Sequence, residues 1–270
     1  MDILQYSFFQ NALAASLFVA VSCGIVGTYI VARRIVFISG GITHASFGGL
    51  GIGFYLGISP LLSALIFAIL SAFGIEYISQ SGSYKRIRED SVIAAVWSLG
   101  MAIGVIFIFL TPGYAPNLSS YLFGNILTVT RTDIILMAAL TAVVMTVFVM
   151  ERKTILYTAF DRDFAITQRL PVRFIEYSMM FFIAATIVVS INLVGIMLLM
   201  SLLTIPQMTA NMFTSDYKKI TVISCILGFI SCIAGLFLSY FLNIPSGAFI
   251  ILVLIVIFLI SKGFIAILKI

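Results

Sequence analysis

Long apolar stretches dominate this chain of 270 residues. Hydrophobic residues make up 62% of it, charged residues only 9%, and the mean hydropathy is +1.21, so it is far more apolar than a soluble domain. A stretch of about 20 apolar residues crosses a hydrocarbon core of about 30 Å as a helix, whereas barrel strands show alternating segments of about 10 residues. The sequence therefore predicts an all-α, polytopic integral membrane protein.

Nine stretches are long and apolar enough to be crossings of a helical bundle. Eight is the alternative, because a glycine-rich or proline-containing stretch could turn back inside the membrane. The predicted crossings are 8–32, 36–58, 61–79, 91–110, 133–150, 175–191, 194–212, 220–242 and 247–267. No separate soluble domain is predicted, so residues 1–270 are expected to form one membrane domain.

The basic residues indicate the orientation, because cytoplasmic loops accumulate Lys and Arg. With nine alternating crossings and Arg33 and Arg34 inside, 14 of the 15 basic residues lie inside, and only Arg131 lies outside. The other inside residues are Lys85, Arg86, Arg88, Arg152, Lys153, Arg162, Arg169, Arg173, Lys218, Lys219, Lys262 and Lys269. We therefore expect a plasma (inner) membrane protein with its N-terminus outside and its C-terminus cytoplasmic. The net charge of +5 then reflects topology, with lipid as the surroundings and no nucleic-acid partner.

The only histidine, His44, lies inside the second predicted crossing. A polar side chain at membrane depth is costly unless it faces a cavity or a partner, and a neutral imidazole is a ligand for zinc, iron or manganese. His44 is therefore the candidate ligand of a metal in transit. The alternative is a structural histidine bonded to a neighbouring helix.

Small and polar residues accompany the histidine and recur in the seventh crossing. Thr43 and Ser46 lie beside it in a glycine-rich run, and Thr204 and Gln207 flank Pro206. A proline inside a crossing frees a backbone carbonyl and predicts a kink. We expect these five residues to line a pathway.

Several kinds of chemistry are excluded by what the sequence lacks. No Asp or Glu lies in the middle of a predicted crossing, which counts against a proton-coupled transporter. There is no Gly-x-x-x-x-Gly-Lys-Ser/Thr run for ATP, no His-Glu-x-x-His and no intramembrane Asp pair for proteolysis. We predict a non-enzymatic protein with no permanently bound cofactor.

The longest cytoplasmic segment, 151–174, predicts a short helix. Asp161 and Asp163 favour a helix N-terminus, and Pro171 would stop the helix. Such a helix could dock on a soluble motor protein, and a merely amphipathic connector is the alternative. The external segment 111–132 is similarly either a cap on the bundle or a docking surface for an external protein.

Several motifs, in order, resemble the permease subunit of the zinc/manganese/iron ABC importers over nearly the whole chain. The matching motifs are Ile30–Arg34, Ser39–Gly49, Tyr121–Thr128, Ala159–Asp161, Leu170–Val172, Leu193–Gly195, Leu203–Pro206 with Thr209 and Ala210, and Pro245–Ala248. The resemblance implies a homodimeric permease with two cytoplasmic ATPase subunits and an external solute-binding protein. The transported ion would be a divalent transition metal, with zinc preferred and manganese or iron open.

The resemblance also implies roles for particular residues. His44 of each protomer would form a weak transit site, and residues 159–173 would be the segment that couples to the ATPase. The coupling residues would be Asp161, Asp163, Phe164, Ala165, Arg169, Leu170 and Pro171. Gly40 stands where the family commonly has Asp, and Arg169 where it often has glycine, which leaves the metal pair and the docking geometry open.

Two other functions remain as alternatives. One is a permease for a metal chelate such as a siderophore, haem or cobalamin, which predicts a wider lumen and no metal-specific effect of His44. The other is a non-transport membrane scaffold or sensor, which predicts no substrate-stimulated ATPase activity with a partner.

Overall fold

The computed structural model describes residues 5–80, 88–112, 124, 126, 129–242 and 244–268. Within these ranges it contains eleven α-helices and no β-strand. The helices are α1 (Ser7–Ala32), α2 (Phe37–Leu56), α3 (Pro60–Gln80), α4 (Glu89–Leu110), α5 (Arg131–Met150), α6 (Arg152–Phe160), α7 (Arg162–Thr167), α8 (Val172–Leu202), α9 (Ile205–Asn211), α10 (Tyr217–Leu242) and α11 (Ser246–Leu268). The all-α prediction is confirmed.

Eight helical stretches in the described part of the chain are long and apolar enough to cross a membrane. All nine predicted crossings fall on helices, with bounds that agree to within about three residues, which is the ordinary scatter of helix ends. The predicted crossing outside the eight is α2, which has 20 residues but is rich in glycine and hydroxyl side chains and so less apolar. Most of α2 is buried against protein, so it needs little lipid-compatible surface.

The chain divides into two compact units. The first contains Met1–Ala32, Ser119–Arg152 and Ser190–Ile270, and the second contains Arg33–Leu118 and Lys153–Val189. Each unit is therefore built from segments that are far apart in the sequence. The expectation of one membrane domain over 1–270 stays a prediction.

In the second unit, α2 packs against α4 at backbone contact distance. A Cβ added to Gly100 would lie 2.4 Å from Cα of Ala45, and one added to Gly51 would lie 2.5 Å from the carbonyl oxygen of Gly104. Only glycine allows such an approach, which is the usual way that membrane helices pack closely. The position of the middle of α2 is therefore fixed by glycines on both helices.

In the first unit, α1 packs between α5 and α10. The hydroxyl groups of Ser22 and Thr141 are hydrogen-bonded at 2.8 Å, which joins α1 to α5. On the other side, a Cβ at Gly24 would lie 2.3 Å from Sγ of Cys225 on α10. The core of this unit thus depends on small side chains and on polar groups that satisfy each other.

The helical run α8 is interrupted at Gly195, where φ is 75° and ψ is 166°. This backbone conformation is essentially restricted to glycine. Gly124 packs on the interruption, because a Cβ at Gly124 would lie 2.3 Å from the backbone nitrogen of Gly195. Gly124 and Gly195, which belong to motifs that are separate in the sequence, therefore meet at this point.

A second interruption separates α8 from α9. Leu203 and Thr204 form a turn, and Pro206 lies in the first turn of α9, where its missing N–H has no helical partner to lose. The predicted interruption of the seventh crossing exists. The predicted position was wrong, because the chain breaks before the proline, which begins a new helix instead of bending a continuous one.

Some predictions concern residues outside the described ranges. They include Lys85, Arg86 and Lys269, and most of segment 111–132, which is predicted to be external.

Candidate functional site

His44 lies in the middle of α2, in the second unit. Its imidazole stacks on the indole of Trp97 from α4, with ring centroids 4.2 Å apart and planes 7° from parallel. The Nδ1 atom is buried and has no hydrogen-bond partner among the described residues. Because the lone pairs of imidazole nitrogen lie in the ring plane, the indole covers a face of His44 without covering a ligating nitrogen.

Gly40 lies one helical turn before His44 on the same face of α2. It is buried and supplies no carboxylate, so the Asp/His pair of the family pattern is absent at this position. Across the part of the chain that the structure describes, no group of three or more His, Cys, Asp or Glu residues could hold a metal ion. The described residues thus offer one imidazole at this place, which is too few ligands for a stable metal site.

Thr43 and Ser46 are fully buried beside the histidine. The hydroxyl of Thr43 donates to the carbonyl of Ser39, and that of Ser46 donates to the carbonyl of Thr43 at 2.6 Å. These bonds within α2 use the hydroxyl protons and leave only oxygen lone pairs for another partner. Both residues therefore have a local structural role, and their lining of a pathway stays a prediction.

Gln207 lies in the first unit and is completely buried. Its Nε2 donates to the carbonyl of Cys23 on α1 at 2.8 Å and to the carbonyl of Leu202 at 3.1 Å. Leu202 ends α8, so its carbonyl has no helical partner. A Cβ at Gly27 would lie 2.4 Å from this amide nitrogen, so glycine makes room for the contact. The sequence predicted that Gln207 lines a pathway, and it did not predict these two hydrogen bonds to α1 and α8.

Thr204 and Pro206 lie at the same interruption. The Thr204 hydroxyl donates to the carbonyl of Met200 at 2.9 Å, and Pro206 is buried. The oxygen of the Gln207 side chain, Oε1, is buried without a hydrogen-bond partner among the described residues. That oxygen and the Nδ1 atom of His44, each in its own unit, are buried polar atoms without a hydrogen-bond partner among the described residues.

The short helix predicted within segment 151–174 is present as α7. The side chain of Asp161 accepts a hydrogen bond from the backbone N–H of Phe164 at 2.9 Å, and Asp163 lies in the first turn. This is the N-terminal arrangement that the two acids predict. The helix ends at Thr167, four residues before Pro171, so the proline follows the end of the helix and does not cause it.

Arg169 causes the end of α7. Its φ of 56° is left-handed, its N–H donates to the carbonyl of Ile166 at 2.9 Å, and the N–H of Leu170 donates to the carbonyl of Ala165 at 3.2 Å. This pair of bonds is the helix-ending motif that glycine usually makes. The backbone at Arg169 therefore has the geometry that a glycine would give, although the residue differs from the family pattern.

Apolar side chains of α7 are exposed. Phe164 is 44% exposed and Ile166 is 49% exposed, whereas Ala165 is fully buried. A concave surface beside the helix encloses a volume of about 540 Å³. It is lined by Ile166, Leu170, Pro171 and Phe174, with Arg162 and Arg173. This surface combines apolar contact area with positive charge.

A buried network of charges lies next to α7, and sequence analysis missed it. Arg162 Nε donates to Glu176 at 2.9 Å, Gln80 donates to the other oxygen of Glu176 at 2.7 Å, and Arg33 makes two bonds to Glu76 at 2.8 and 3.0 Å. Both glutamates are fully buried. The bonds that join α3, α7 and α8 link residues 14 to 96 positions apart, so no local pattern indicates the network.

Comparison with known proteins decides the family. Residues 5–265 match the ABC 3 transport family over almost the entire chain. The chain belongs to the ABC 3 transport family. The resemblance found in the motifs is thereby confirmed.

Several known proteins are similar over almost the whole chain. An uncharacterised membrane protein of Synechocystis is 41% identical over 97% of this chain and 92% of its own length. The manganese transport system membrane protein MntC of Halalkalibacterium halodurans is 31% identical over 93% of this chain and 85% of its own length. The solved structure of PsaBC from Streptococcus pneumoniae in complex with Fab matches with a TM-score of 0.85 and 31% identity, over 96% of this chain and 93% of that one.

In this ABC 3 chain the predicted site residues fall in both compact units. His44, Thr43, Ser46 and the coupling segment lie in the second unit, and Thr204, Pro206 and Gln207 lie in the first. Within the second unit, the stacking partner Trp97 is the neighbour that sequence analysis missed. An aromatic residue in an apolar helix gives no signal that it faces the histidine.

Proposed function

We propose that this chain is the permease subunit of an ATP-driven ABC importer of a divalent transition metal. The membership of the ABC 3 transport family over residues 5–265 carries the proposal. The cargo class is supported by relatives that are named for manganese transport and by an imidazole with a buried, unpaired nitrogen on an apolar helix. Zinc is the preferred cargo on ligand chemistry, with manganese and iron as competitors.

His44 is the proposed contact for the ion in transit. A single imidazole binds a divalent metal weakly, and weak binding suits conduction because the ion must also leave. A second copy of the chain would bring a second His44, so a homodimer would supply two nitrogens. Thr43, Ser46, Thr204, Pro206 and Gln207 are the proposed lining of the path, and the metal is cargo and not a resident cofactor.

The energy for transport is proposed to come from separate cytoplasmic ATPase subunits, since the chain has no phosphate-binding loop of its own. Residues 159–173 are the proposed docking segment. Its exposed Phe164 and Ile166 provide apolar area, and the cap at Asp161 and the turn at Arg169 hold the helix in shape. An external solute-binding protein would deliver the ion to a plasma-membrane permease whose C-terminus is cytoplasmic.

The test is metal uptake by cells that lack their own importers and express the permease with its cognate ATPase and binding protein. Zinc, manganese and iron uptake are compared for wild type and His44→Ala at equal membrane abundance. Loss of an outer-shell partner of a ligand already costs about 10- to 100-fold in affinity, so loss of the ligand should lower uptake by at least about tenfold. Ser39→Ala is the control, because Ser39 is a buried polar residue on the same helix that bonds only its own turn.

The other outcomes separate the alternatives. Metal uptake that His44→Ala leaves unchanged would make His44 structural. Uptake of a siderophore, haem or cobalamin without uptake of free metal would indicate a chelate permease. Absence of any substrate-stimulated ATPase activity in the assembled complex would indicate a scaffold or sensor.

A further inference from the structure

We propose that Arg162 and Glu176 form a positioning contact that couples ion transport to ATP hydrolysis. The contact passes the movement of α7 to the membrane helices α8 and α3. This inference rests on the proposed function, because it assigns a role within ATP-driven transport. It gives Arg162, inside the docking segment, a role other than docking, and it adds Glu176, which lies outside both the docking segment and the proposed metal path.

The bond between Arg162 and Glu176 links the surface of the second unit to its interior. Arg162 is the first residue of α7, and 41% of its side chain is exposed, whereas only 1% of the Glu176 side chain is exposed. The Arg162 Nε atom donates to Oε1 of Glu176 at 2.9 Å. A residue on an exposed helix is thus bonded to a carboxylate that solvent and a docked protein do not reach.

Inside the second unit, Gln80 continues this link from Glu176 to Glu76. Oε2 of Glu176 accepts a hydrogen bond at 2.7 Å from Nε2 of Gln80, the last residue of α3. The same nitrogen donates to Oε1 of Glu76 at 2.5 Å, and Glu76 accepts two hydrogen bonds from Arg33. One continuous set of polar contacts therefore runs from α7 through α8 to α3 and to Arg33.

This set of polar contacts restricts the relative movement of α7, α8 and α3. Hydrogen bonds to ionised groups are the strong ones in proteins, and losing Arg162 would leave the buried Glu176 with the more distant Arg33, whose guanidinium nitrogen is 3.9 Å from Oε1. The five side chains therefore favour a single arrangement. A displacement of α7 either carries the ends of α8 and α3 with it or breaks bonds to a buried carboxylate.

The neighbouring contacts of α7 are different in kind. Asp161 and Thr167 bond the backbone of Phe164 within α7 itself, and Ala165 is a small apolar residue. These contacts shape the helix without reaching a membrane helix through a charged group. The Arg162 side chain supplies the charge-assisted bond between α7 and α8.

The function that follows is coupling. With the contact intact, the movement that ATP hydrolysis imposes on α7 changes the arrangement of α3 and α8. Without it, the ATPase still docks on α7 and hydrolyses ATP, but fewer ions cross for each ATP consumed.

The experiment measures zinc and manganese ions moved per ATP hydrolysed by the complete complex of permease, ATPase and binding protein in proteoliposomes. The variants are Arg162→Met, Glu176→Gln and the double variant. Coupling between distant sites usually changes equilibria by about 5- to 150-fold, so each single variant is expected to lower the ions moved per ATP by about fivefold or more. The double variant is expected to fall no further, because both changes break one contact.

Two further variants sharpen the result. Arg162→Lys should restore most of the coupling, since one ammonium group can replace the single bond from Nε. Arg88→Met is the matched control, because Arg88 pairs with Asp90 in an exposed ion pair, with 84% and 51% of the side chains exposed. Its ratio of ions to ATP should equal that of wild type.

Each other outcome is decisive. An unchanged ratio in Arg162→Met overturns the inference, and this exposed position keeps the test valid even where Glu176→Gln fails to assemble. A loss in Arg162→Met with a normal ratio in an assembled Glu176→Gln complex would mean that Arg162 touches the ATPase directly, which also overturns it. A wild-type complex that hydrolyses ATP without moving metal would overturn the proposed function itself, and the inference with it.

Discussion

The imidazole of His44 lies parallel to the indole of Trp97, with the ring centroids 4.2 Å apart. The two residues come from α2 and α4, whose backbones touch through Gly51 and Gly104. Stacking restrains the rotation of the imidazole without using the in-plane lone pairs of its nitrogens. The position of the proposed metal contact therefore depends on an aromatic residue as well as on its own helix.

Trp97→Ala should weaken metal capture without abolishing transport. Aromatic stacking contributes about 0.5–1.5 kcal/mol, which corresponds to about a two- to tenfold higher metal concentration for half-maximal uptake. Concentration-dependent uptake in cells measures this shift. Leu99→Ala, on an exposed position of the same helix, is the control. Equal half-saturation in wild type and Trp97→Ala would show that the stack does not hold the histidine.

Gly195→Ala should destabilise the first unit. The φ of 75° and ψ of 166° at Gly195 cost a residue with a side chain about 1–3 kcal/mol. Thermal unfolding of the purified protein in detergent measures the effect. Gly74→Ala is the control, because a Cβ there meets nothing within 4 Å and alanine favours a helix. A melting temperature of Gly195→Ala at or above that of wild type would contradict the prediction.

Arg169→Gly should leave the protein as stable as wild type or raise its stability by up to about 1 kcal/mol. Glycine removes the cost of the left-handed φ of 56°, and part of this gain is offset by greater freedom in the unfolded chain. Arg173→Gly, in the first turn of α8, should have the opposite sign, because glycine is less favourable than arginine in a helix, by up to about 1 kcal/mol. Chemical or thermal unfolding distinguishes the two variants, and destabilisation by both would show that Arg169 is not strained.

Gln207→Leu should lower the free energy of unfolding by about 1–3 kcal/mol, the usual cost of leaving a buried polar group unpaired. The carbonyls of Cys23 and Leu202 would both lose their bond to the amide. Gln168→Leu, at an exposed position, is the matched control. If the two variants unfold at the same temperature, these hydrogen bonds contribute nothing measurable to stability.

The sequence predicted what depends on local composition. Apolar stretches predicted the long helices, and the acids at 161 and 163 predicted the start of α7, because hydropathy and capping act over one or two turns. The glycines of α2 correctly predicted that this helix packs closely against its neighbours. In the same way, the polar residues around Pro206 marked an interruption of a crossing, although the chain breaks two residues before it.

Contacts between distant residues could not be predicted in this way. Nothing near Glu176 indicates that Gln80, 96 residues earlier, will bond to it, and nothing near Gly124 indicates that it will pack on Gly195. The left-handed turn at Arg169 was also missed, since arginine seldom adopts it and the conformation is imposed by the two backbone bonds that end α7. Such features depend on residues that become neighbours only in the folded protein, so the local sequence pattern cannot predict them.

The interleaving of the two units has a consequence for synthesis. The second unit has all its segments once Val189 has been made, whereas the first unit still lacks everything from Ser190 onward. Helix α1 therefore enters the membrane long before α10, and Cys225, which bonds to the carbonyl of Val21, is made 204 residues later. Helix α5, which bonds Ser22 of α1 through Thr141, is made earlier, but the face of α1 around Gly24 lacks its final neighbour until α10 is made, so during translation lipid or the insertion machinery must cover that face.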